Sequence, residues 1–223
     1  MDLTNSVALV TGANRGLGRH FAAQLLERGA KVYAGARNPE TVDLPGAIPL
    51  QIDVTDPASV ERAAKAATDV TLLINNAGSS THQSLIDGDL DLIRLEMDTH
   101  YYGTLAVTRA FAPIIEANGG GAILNVLSVL SWYHPAGAGA YSGAKAAGWA
   151  LTNAVRDELA PRGIAVSGLH VGYMDTDMAA TIPADQKTDP AIVAALALDG
   201  VAEGLTEILA DDVTRGVKAA LAG

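Results

Sequence analysis

The sequence predicts an α/β fold: a doubly wound, mainly parallel sheet of about seven strands with helices on both faces. Short apolar runs alternate with helical patterns along the chain, and each run is nearly continuous in apolar residues. Such runs are typical of parallel strands that are covered on both faces. Because the 223 residues contain no linker or repeat, we expect one domain over residues 1–223.

Composition narrows the possible functions. Hydrophobic residues make up 49% of the chain and charged residues 18%, which is typical of a folded globular protein. The net charge of −10 argues against nucleic-acid binding, which needs a basic face. The absence of cysteine excludes disulfides and thiolate metal sites, and we expect no metal. With neither a secretory signal pattern nor a long apolar run, we expect a cytoplasmic protein that does not cross a membrane.

The first half of the chain predicts strands at residues 7–10, 31–36, 48–54 and 70–74. Leu17, Phe21 and Leu25 recur at helical spacing and predict a first helix that ends at Gly29. Two prolines after the second strand leave space for one helical turn at most. Another helix is expected from residue 57 to about 67.

The second half predicts helices at residues 89–118, 140–162, 191–203 and 213–221, and strands at 122–127, 165–170 and 207–209. An irregular segment, residues 172–189, follows the sixth strand. In doubly wound sheets, ligands bind beyond the carboxyl ends of the strands. The glycine-rich and polar segments of this chain follow those ends, so we expect the functional site there.

Gly12, Gly16 and Gly18 lie between the first strand and the first helix. Glycines at this point allow a tight turn and the close approach of a pyrophosphate, which the N-terminus of the helix stabilises. The alternative is a flexible turn without a ligand. The position after the first strand of a β-α-β unit favours the phosphate-binding interpretation.

Tyr141 and Lys145 are four residues apart on a predicted helix, so their side chains share one face. Ser128 ends the preceding strand and brings a hydroxyl to the same edge of the sheet. A phenol, an ammonium and a hydroxyl together predict a proton-transfer site. The alternative is that Tyr141 packs in a helix contact and Lys145 is solvated. Ser131 is a second, less favoured hydroxyl in the same loop.

The ordered set TGxxxGxG, NNAG, Ser128 and YxxxK resembles the short-chain dehydrogenase/reductase family over nearly the whole chain. The resemblance implies a Rossmann fold and hydride transfer between a nicotinamide and a carbonyl or alcohol. It assigns Tyr141 as acid/base, with its pKa lowered by Lys145 and the oxidised nicotinamide, and Ser128 as donor to the substrate oxygen. It also implies that Lys145 binds the nicotinamide ribose.

The same resemblance implies a set of cofactor-binding residues. Asp53 and Val54 are expected to flank the adenine, although Asp53 could instead cap the helix at residue 57, and Thr176 is expected to contact the carboxamide. The complete expected set is Gly12, Asn14, Arg15, Gly16, Leu17, Gly18, Arg37, Asp53, Val54, Asn75, Ala77, Gly78, Tyr141, Lys145, Gly172 and Thr176.

The end of the second strand predicts which nicotinamide cofactor binds. A carboxylate there would bind the ribose 2′-hydroxyl and repel a 2′-phosphate. This chain has Ala36 followed by Arg37, and Arg15 lies nearby in the glycine loop. Two guanidinium groups without a carboxylate favour NADP(H), with NAD(H) possible. The alternative is that both arginines are solvated surface residues.

His100 is the main departure from the family pattern. The family usually has an asparagine three residues before Gly103, where it supports a water in a proton relay, and this chain has His100 there. A histidine is able to relay protons, but a packed structural histidine is an equal alternative. We include His100 among the candidate catalytic residues. Val171 also replaces the proline that often precedes the glycine at position 172.

Several large side chains near the site predict an apolar substrate wall. Trp132 and Tyr133 lie in the loop after Ser128, and Tyr173 and Met178 follow the sixth strand. Some of them could instead be core or dimer contacts. We therefore expect an NADPH-dependent reductase or dehydrogenase for small-to-medium, mainly apolar ketones, aldehydes or secondary alcohols.

Two other functions are alternatives. A ketoacyl-thioester reductase needs a basic patch for an acyl carrier, and the sequence shows none. A non-catalytic NADP-sensing domain would have a broken Ser-Tyr-Lys set, whereas here the set is complete. Family resemblance also implies a homodimer or homotetramer through helices 89–118 and 140–162, which the small residues Gly143, Ala144, Ala147 and Gly148 would allow to pack closely.

Overall fold

A computed structural model describes residues 1–221, so the last two residues of the predicted domain, 222–223, lie outside the described residues. The sheet has seven strands, all parallel, in the order β3-β2-β1-β4-β5-β6-β7. The strands are β1 (Val7–Thr11), β2 (Lys31–Ala36), β3 (Ile48–Gln51), β4 (Leu72–Asn75), β5 (Gly121–Val126), β6 (Ile164–His170) and β7 (Glu207–Leu209). The predicted fold class is confirmed.

Seven α-helices connect and follow these strands within the described part of the chain. They are α1 (Gly16–Glu27), α2 (Pro57–Ala66), α3 (Leu90–Met97), α4 (Thr104–Ala117), α5 (Gly139–Leu159), α6 (Pro190–Glu203) and α7 (Asp212–Ala220). Short 3₁₀ turns occupy Pro39–Thr41, Val129–Ser131, Ala160–Arg162, Asp177–Ala179 and Ala184–Gln186. Among residues 1–221, none of the helices is long and apolar enough to cross a lipid bilayer.

Alternate residues of the strands face two separate apolar layers, as the side-chain period of a strand requires. On one face, Ala8 and Val10 of β1 pack with α1 and α6. On the other face, Leu9 of β1 packs with α2, α4 and α5. Because both faces are covered, the strands are apolar at nearly every position, which explains the continuous runs in the sequence.

Several element ends differ from the prediction: the helix predicted over residues 140–162 ends at Leu159, where a 3₁₀ turn follows, and the strand predicted at 70–74 is Leu72–Asn75. β3 ends at Gln51, three residues before its predicted end, and residues 52–56 form the connection to α2. The segment predicted as one helix over residues 89–118 consists of α3, a π-helical turn at Asp98–Gly103, and α4. A π turn inserts one residue into the helical repeat, and an apolar periodicity over 30 residues does not resolve such a local change.

A buried chain of hydrogen bonds lies on the side of the sheet that faces α4 and α5. The Asn75 amide donates to Asn125 Oδ1 at 2.8 Å and to Thr108 Oγ1 at 3.2 Å. The Asn125 amide in turn donates to Thr152 Oγ1 at 3.0 Å. These bonds satisfy polar groups that would otherwise be costly to bury, and they join β4 and β5 to the two helices beside the candidate site.

Candidate active site

The loop from Gly12 to Gly18 forms a close turn between β1 and α1. Gly12 and Gly16 have φ values of +67° and +51°, a conformation that side chains with a Cβ atom rarely adopt. A Cβ atom on Gly18 would lie 2.2 Å from the Gly12 carbonyl oxygen, so no other residue fits there. The N-cap residue of α1, Arg15, accepts no N–H bond through its side chain, which leaves the helix N-terminus open to an anion.

Thr11 ties the glycine loop to the loop after β4. Its hydroxyl oxygen accepts hydrogen bonds from the backbone N–H groups of Asn76 and Ala77, both at 3.0 Å. The Asn76 amide donates back to the Thr11 and Gly12 carbonyl oxygens at 2.9 and 3.2 Å. The two loops meet where the strand order reverses direction between β1 and β4, which is the position at which doubly wound sheets bind nucleotides.

The side chains of the two asparagines in the NNAG sequence have different partners in the structure. Asn75 was expected to line the cofactor, but its side chain points into the buried chain of bonds with Thr108 and Asn125. Asn76 is the residue whose amide faces the glycine loop. Consecutive residues at a strand end point to opposite faces of the sheet, so only one of the two reaches the cleft through its side chain. Ala77 lies beside Gly12, as expected.

The alternative role of Asp53 as a helix cap is wrong. Asp56 caps α2 by accepting from the Ala58 N–H, while Asp53 Oδ1 accepts from Thr55 N–H and Oγ1. Val54 packs near Gly103 in the π turn.

The remaining cofactor candidates lie around the same cleft. Thr176 approaches Gly16, because a Cβ atom there would lie 3.5 Å from Thr176 Cγ2. Leu17 is buried, and the Asn14 amide bonds to Thr41. The Gly172 N–H donates to Asp211 Oδ2 at 2.7 Å.

The two arginines predicted to hold a 2′-phosphate differ in their surroundings. Arg37 is exposed, and its guanidinium makes no ion pair with any residue in the described part of the chain. Arg15 pairs with Asp177 at 3.2 Å, with both side chains largely in solvent. Such an exposed pair contributes little free energy, so an incoming phosphate group can compete for Arg15.

Ser128, Tyr141 and Lys145 meet at the carboxyl edge of the sheet. Ser128 begins the 3₁₀ turn after β5, where its hydroxyl accepts the Leu130 N–H and Ser131 Oγ accepts the Ser128 N–H. The role of Ser131 is thus to fix the turn. Lys145 Nζ lies 5.5 Å from the centre of the Tyr141 ring and donates to the Val126 carbonyl oxygen at 2.9 Å.

Burial controls the charges of this site. It lowers the pKa of Lys145 to about 8, and the charge of Glu96 partly offsets this effect. Burial also raises the pKa of Tyr141, the charge of Glu96 raises it further, and the Ser128 hydroxyl acts in the opposite direction. Lys145 was expected to lower the pKa of Tyr141, and this lowering is not found in the chain alone. The ammonium group is bonded to a carbonyl oxygen and lies beside the ring, too far away to outweigh burial.

His100 is buried in the π turn and contacts Tyr141. The two rings meet edge to face, with centroids 5.2 Å apart and planes at 83°. His100 Nε2 lies 2.8 Å from the Ser79 carbonyl oxygen and 3.3 Å from Glu96 Oε2. Burial, followed by the charge of Lys145, lowers the pKa of His100, so the ring is neutral at neutral pH.

The predicted substrate residues divide into two groups. Tyr133, Tyr173 and Met178 are exposed around the site, each with about half of its surface in solvent (56%, 49% and 47%). Trp132 is 8% exposed and stacks on His170 at 3.8 Å, with Lys218 4.5 Å from its ring centre. Trp132 thus anchors the loop to β6 and α7, which contradicts its expected place in the substrate wall.

Three residues near the site were missed from the sequence. Thr11 and Asn76 carry a detectable signal, since a threonine before the glycine loop and a second asparagine in NNAG both follow strand ends. Glu96 lies one helical turn before His100, but a glutamate on a helix is usually solvated. Nothing in the sequence indicates its burial.

The open helix N-terminus, the glycine loop and the Ser-Tyr-Lys group define a dinucleotide-dependent oxidoreductase. Comparison with known proteins identifies the family. The chain matches the model of the short chain dehydrogenase family over residues 6–187. It therefore belongs to the short-chain dehydrogenases/reductases, which act on CH–OH and C=O groups.

Individual relatives are similar over most of the chain. A short chain dehydrogenase from Burkholderia cenocepacia, solved in complex with NADP, is 39% identical with a TM-score of 0.96; the match covers 100% of this chain and 95% of that one. The 3-oxoacyl-[acyl-carrier-protein] reductase of Vibrio cholerae is 33% identical over 84% of this chain and 81% of its own length.

A third relative is longer than this chain. The NADPH-dependent 1-acyldihydroxyacetone phosphate reductase of Schizosaccharomyces pombe is 36% identical over 75% of this chain. The match spans 60% of the yeast protein's length.

Proposed function

We propose that the protein is an NADPH-dependent reductase of small-to-medium, mainly apolar ketones or aldehydes, and that it oxidises the corresponding secondary alcohols in reverse. The observation that carries this proposal is the meeting of Ser128, Tyr141 and Lys145 at the edge of the sheet on which the glycine loop also lies. A non-catalytic NADP-sensing role has no need for this complete set.

The preference for NADP(H) is supported by Arg37. It lies at the end of β2 with no ion-pair partner among the described residues, and Arg15 is within the adjoining loop. The Burkholderia relative was solved with NADP, which agrees with this preference. The positive φ values of Gly12 and Gly16 and the open start of α1 fit a pyrophosphate. Binding of NAD(H) remains the secondary expectation.

Each proposed catalytic residue has one role. When bound, the nicotinamide supplies or accepts the hydride. Tyr141 donates its phenolic proton to the carbonyl oxygen during reduction and removes it from the alcohol during oxidation. Ser128 donates a hydrogen bond to the same oxygen as negative charge develops. Lys145, whose pKa is about 8, is cationic at neutral pH and stabilises the phenolate left on Tyr141.

The substrate class follows from the surface around the site. Tyr133, Tyr173 and Met178 offer apolar area, which favours an apolar carbonyl compound. Residues 172–189 contain four aspartates and one lysine, and Lys187 pairs with Asp175 at 2.6 Å. An acidic carrier protein would be repelled by this segment.

Similarity to the Vibrio carrier-protein reductase keeps a ketoacyl thioester as the second candidate substrate. A ketoacyl thioester differs from a simple ketone in the thioester group and in its carrier. Activity with a short ketoacyl thioester but none with simple ketones would favour this candidate.

Location and assembly complete the proposal. We expect the protein to work in the cytoplasm as a homodimer or homotetramer. Within the chain, Ala144 and Gly148 of α5 are buried against other residues and are not available for subunit contacts, contrary to expectation. Gly143 and Ala147 remain accessible on the same helix.

The decisive experiment is a panel of ketones, aldehydes and a short ketoacyl thioester, monitored by the absorbance of NADPH and, in parallel, of NADH. We expect turnover of apolar ketones with NADPH favoured. Tyr141→Phe should lower kcat by about 10²–10⁴-fold, the usual contribution of acid/base catalysis, while NADPH affinity stays nearly unchanged.

Tyr102→Phe is the matched control, because Tyr102 is exposed and contacts only the neighbouring Tyr101 ring among the aromatic residues described. This control should retain full activity. Substantial turnover by the Tyr141→Phe variant, or equal efficiency with NADPH and NADH, would contradict the proposal.

A further inference from the structure

Glu96 is a fully buried carboxylate on the last turn of α3, with 0% exposure. An unpaired charge at such a position is costly, so its partners explain why it is tolerated. Glu96 Oε1 accepts the Thr81 N–H, and Oε2 lies 3.3 Å from His100 Nε2 and 3.5 Å from Ser79 Oγ. Ser79 and Thr81 belong to the segment after β4, Glu96 to α3, and His100 to the π turn that follows α3.

His100 connects this carboxylate to Tyr141. The Ser79 carbonyl oxygen, which can only accept, lies 2.8 Å from His100 Nε2 and favours the tautomer with the ring proton on Nε2. Glu96 Oε2 can accept the same proton from 3.3 Å, whereas the Ser79 N–H, at 3.4 Å, would donate only to the other tautomer. The neighbouring ring carbon, Cε1, approaches Gly78, where a Cβ atom would lie 2.8 Å from it. The ring edge then meets the Tyr141 ring at a centroid distance of 5.2 Å. His100 is thus fixed between the Glu96 carboxylate, the NNAG loop and the phenol.

The charges around Tyr141 are therefore partly set by Glu96. Burial opposes ionisation of Glu96, but the hydrogen bonds from His100 and Thr81 outweigh it and lower the pKa of the carboxyl. His100 is neutral, Lys145 is cationic, and Tyr173 is the other titratable group that faces Tyr141. The negative charge of Glu96 raises the pKa of Tyr141 and of Lys145, so it favours the protonated form of each.

We infer that Glu96 is a positioning residue: its carboxylate holds His100 against Tyr141 and places a buried negative charge next to the His100–Tyr141 pair, which sets the pH range over which reduction and oxidation occur. This inference rests on the proposed function, in which Tyr141 is the proton donor. In reduction, the O–H bond of Tyr141 breaks and a new O–H bond forms on the substrate oxygen. The substrate carbon gains the hydride that a bound nicotinamide would supply. The phenolate that remains is repelled by Glu96 and regains a proton from solvent, which completes the cycle.

A purely structural role for Glu96 makes a different prediction. If the carboxylate only held the segment 79–81 in place, a neutral group of the same shape would serve equally well. Glu96→Gln keeps a carbonyl oxygen for the Thr81 N–H and nearly the same volume, but it removes the charge and puts an NH₂ group, which cannot accept a hydrogen bond, opposite His100 Nε2. Glu96→Asp keeps the charge and shortens the side chain. The pair therefore separates charge from shape.

The test is the pH dependence of kcat/KM in both directions for one ketone–alcohol pair. In Glu96→Gln, the pKa of Tyr141 falls, so the loss of reduction at high pH and the gain of oxidation both move to lower pH. We expect a shift of about one pH unit, the size that a nearby buried charge produces. In Glu96→Asp, the pH dependence of kcat/KM for both reduction and oxidation remains close to that of the wild type, while kcat decreases.

Asp98→Asn is the matched control, because Asp98 begins the π turn but is exposed. Loss of this solvent-screened charge should leave the pH dependence of kcat/KM unchanged in both directions. An unshifted profile in Glu96→Gln, or an equal shift in Asp98→Asn, would overturn the inference.

Two measurements do not depend on turnover and so separate this inference from the proposed function. The phenolate absorbance of Tyr141 in the complex with NADP⁺, taken as the difference between each protein and its Tyr141→Phe counterpart, should titrate at lower pH in Glu96→Gln. In wild-type protein, nitrogen NMR of His100, assigned by its loss in His100→Gln, should show a ring that is neutral and protonated at Nε2 at neutral pH and that gains its second proton only below the ordinary pKa of histidine. An imidazole that titrates at its ordinary pKa would refute the inference even if Glu96→Gln did not fold.

Discussion

Lys145 and Tyr141 lie one helical turn apart, and burial moves their pKa values in opposite directions. The pKa of Lys145 falls to about 8, whereas that of Tyr141 rises. Both changes favour the neutral side chain, as loss of hydration always does. At neutral pH, a cationic Lys145 is thus paired with a protonated Tyr141, and the buried Glu96 carboxylate balances the ammonium charge. This combination suits the donation of a proton.

The predicted preference for NADP(H) over NAD(H) depends mainly on one residue, Arg37. Arg37→Asp should lower kcat/KM with NADPH by about tenfold or more and raise the relative efficiency of NADH. The reason is that a charge-assisted hydrogen bond to the 2′-phosphate is lost, while a carboxylate can accept from the ribose hydroxyl of NADH. The measurement is kcat/KM with each cofactor at a saturating ketone concentration.

Arg62→Asp makes the same charge change on α2, where Arg62 forms only a 3.6 Å pair with Asp56. It should leave the ratio of NADPH to NADH efficiency unchanged. If Arg37→Asp also leaves that ratio unchanged, the phosphate is held elsewhere, and Arg15 becomes the better candidate.

At the scale of elements, the hydroxyl of Thr11 holds the loops after β1 and β4 together. Thr11 is 1% exposed, and its oxygen accepts two backbone N–H groups and donates to the Ile74 carbonyl oxygen at 3.3 Å. Thr11→Val preserves the shape but leaves these groups without a partner. We expect a loss of about 1–3 kcal/mol in the free energy of unfolding, measured by urea denaturation, together with weaker NADPH binding.

Thr68→Val serves as the control for this prediction, since Thr68 is exposed between α2 and β4. That change should alter the free energy of unfolding by no more than about 0.5 kcal/mol. Equal stability of the Thr11→Val and Thr68→Val proteins would show that Thr11 does not hold the two loops together.

The elements themselves were largely predictable because parallel strands and amphipathic helices have clear periodicities. The helical segment around His100 was the main exception, since a π turn changes the backbone without a distinct sequence pattern. The direction of side chains at strand ends was also unpredictable. For this reason Asn75 was expected in the cleft, whereas the side chain of Asn76 faces the glycine loop and that of Asn75 is bonded to Asn125. Glu96 and Trp132 depend on contacts between distant segments, and no local pattern encodes those.

At the scale of the whole molecule, the parallel sheet places the carboxyl ends of all seven strands on one edge. The glycine loop after β1, the NNAG loop after β4, Ser128 after β5 and the segment after β6 therefore converge on one cleft. Each of these segments is held by bonds to a neighbouring segment, such as the Gly172 N–H to Asp211. The order of motifs along the chain follows from this topology, and for that reason the ordered set identified the family.

The proposed assembly leads to the last prediction. Gly143 lies on the exposed side of α5, and a Cβ atom there meets no other atom within 4 Å. Gly143→Arg thus fits the isolated chain and should stabilise the helix, because glycine is a poor helix former. If two copies pack through α4 and α5, the arginine blocks their close approach. We expect light scattering to give the monomer mass of 22.9 kDa for this variant and a multiple of it for the wild type.

Two controls make this test specific for the α5 surface. Gly143→Ala adds only a methyl group and should keep the oligomer. Gly216→Arg makes the same large change on α7, where a Cβ atom also meets nothing within 4 Å, and should remain at least a dimer. A wild-type protein that is monomeric at micromolar concentration would contradict the proposed assembly. Dissociation by Gly216→Arg alone would instead locate the subunit contact on α7, because the two variants add the same side chain to different helices.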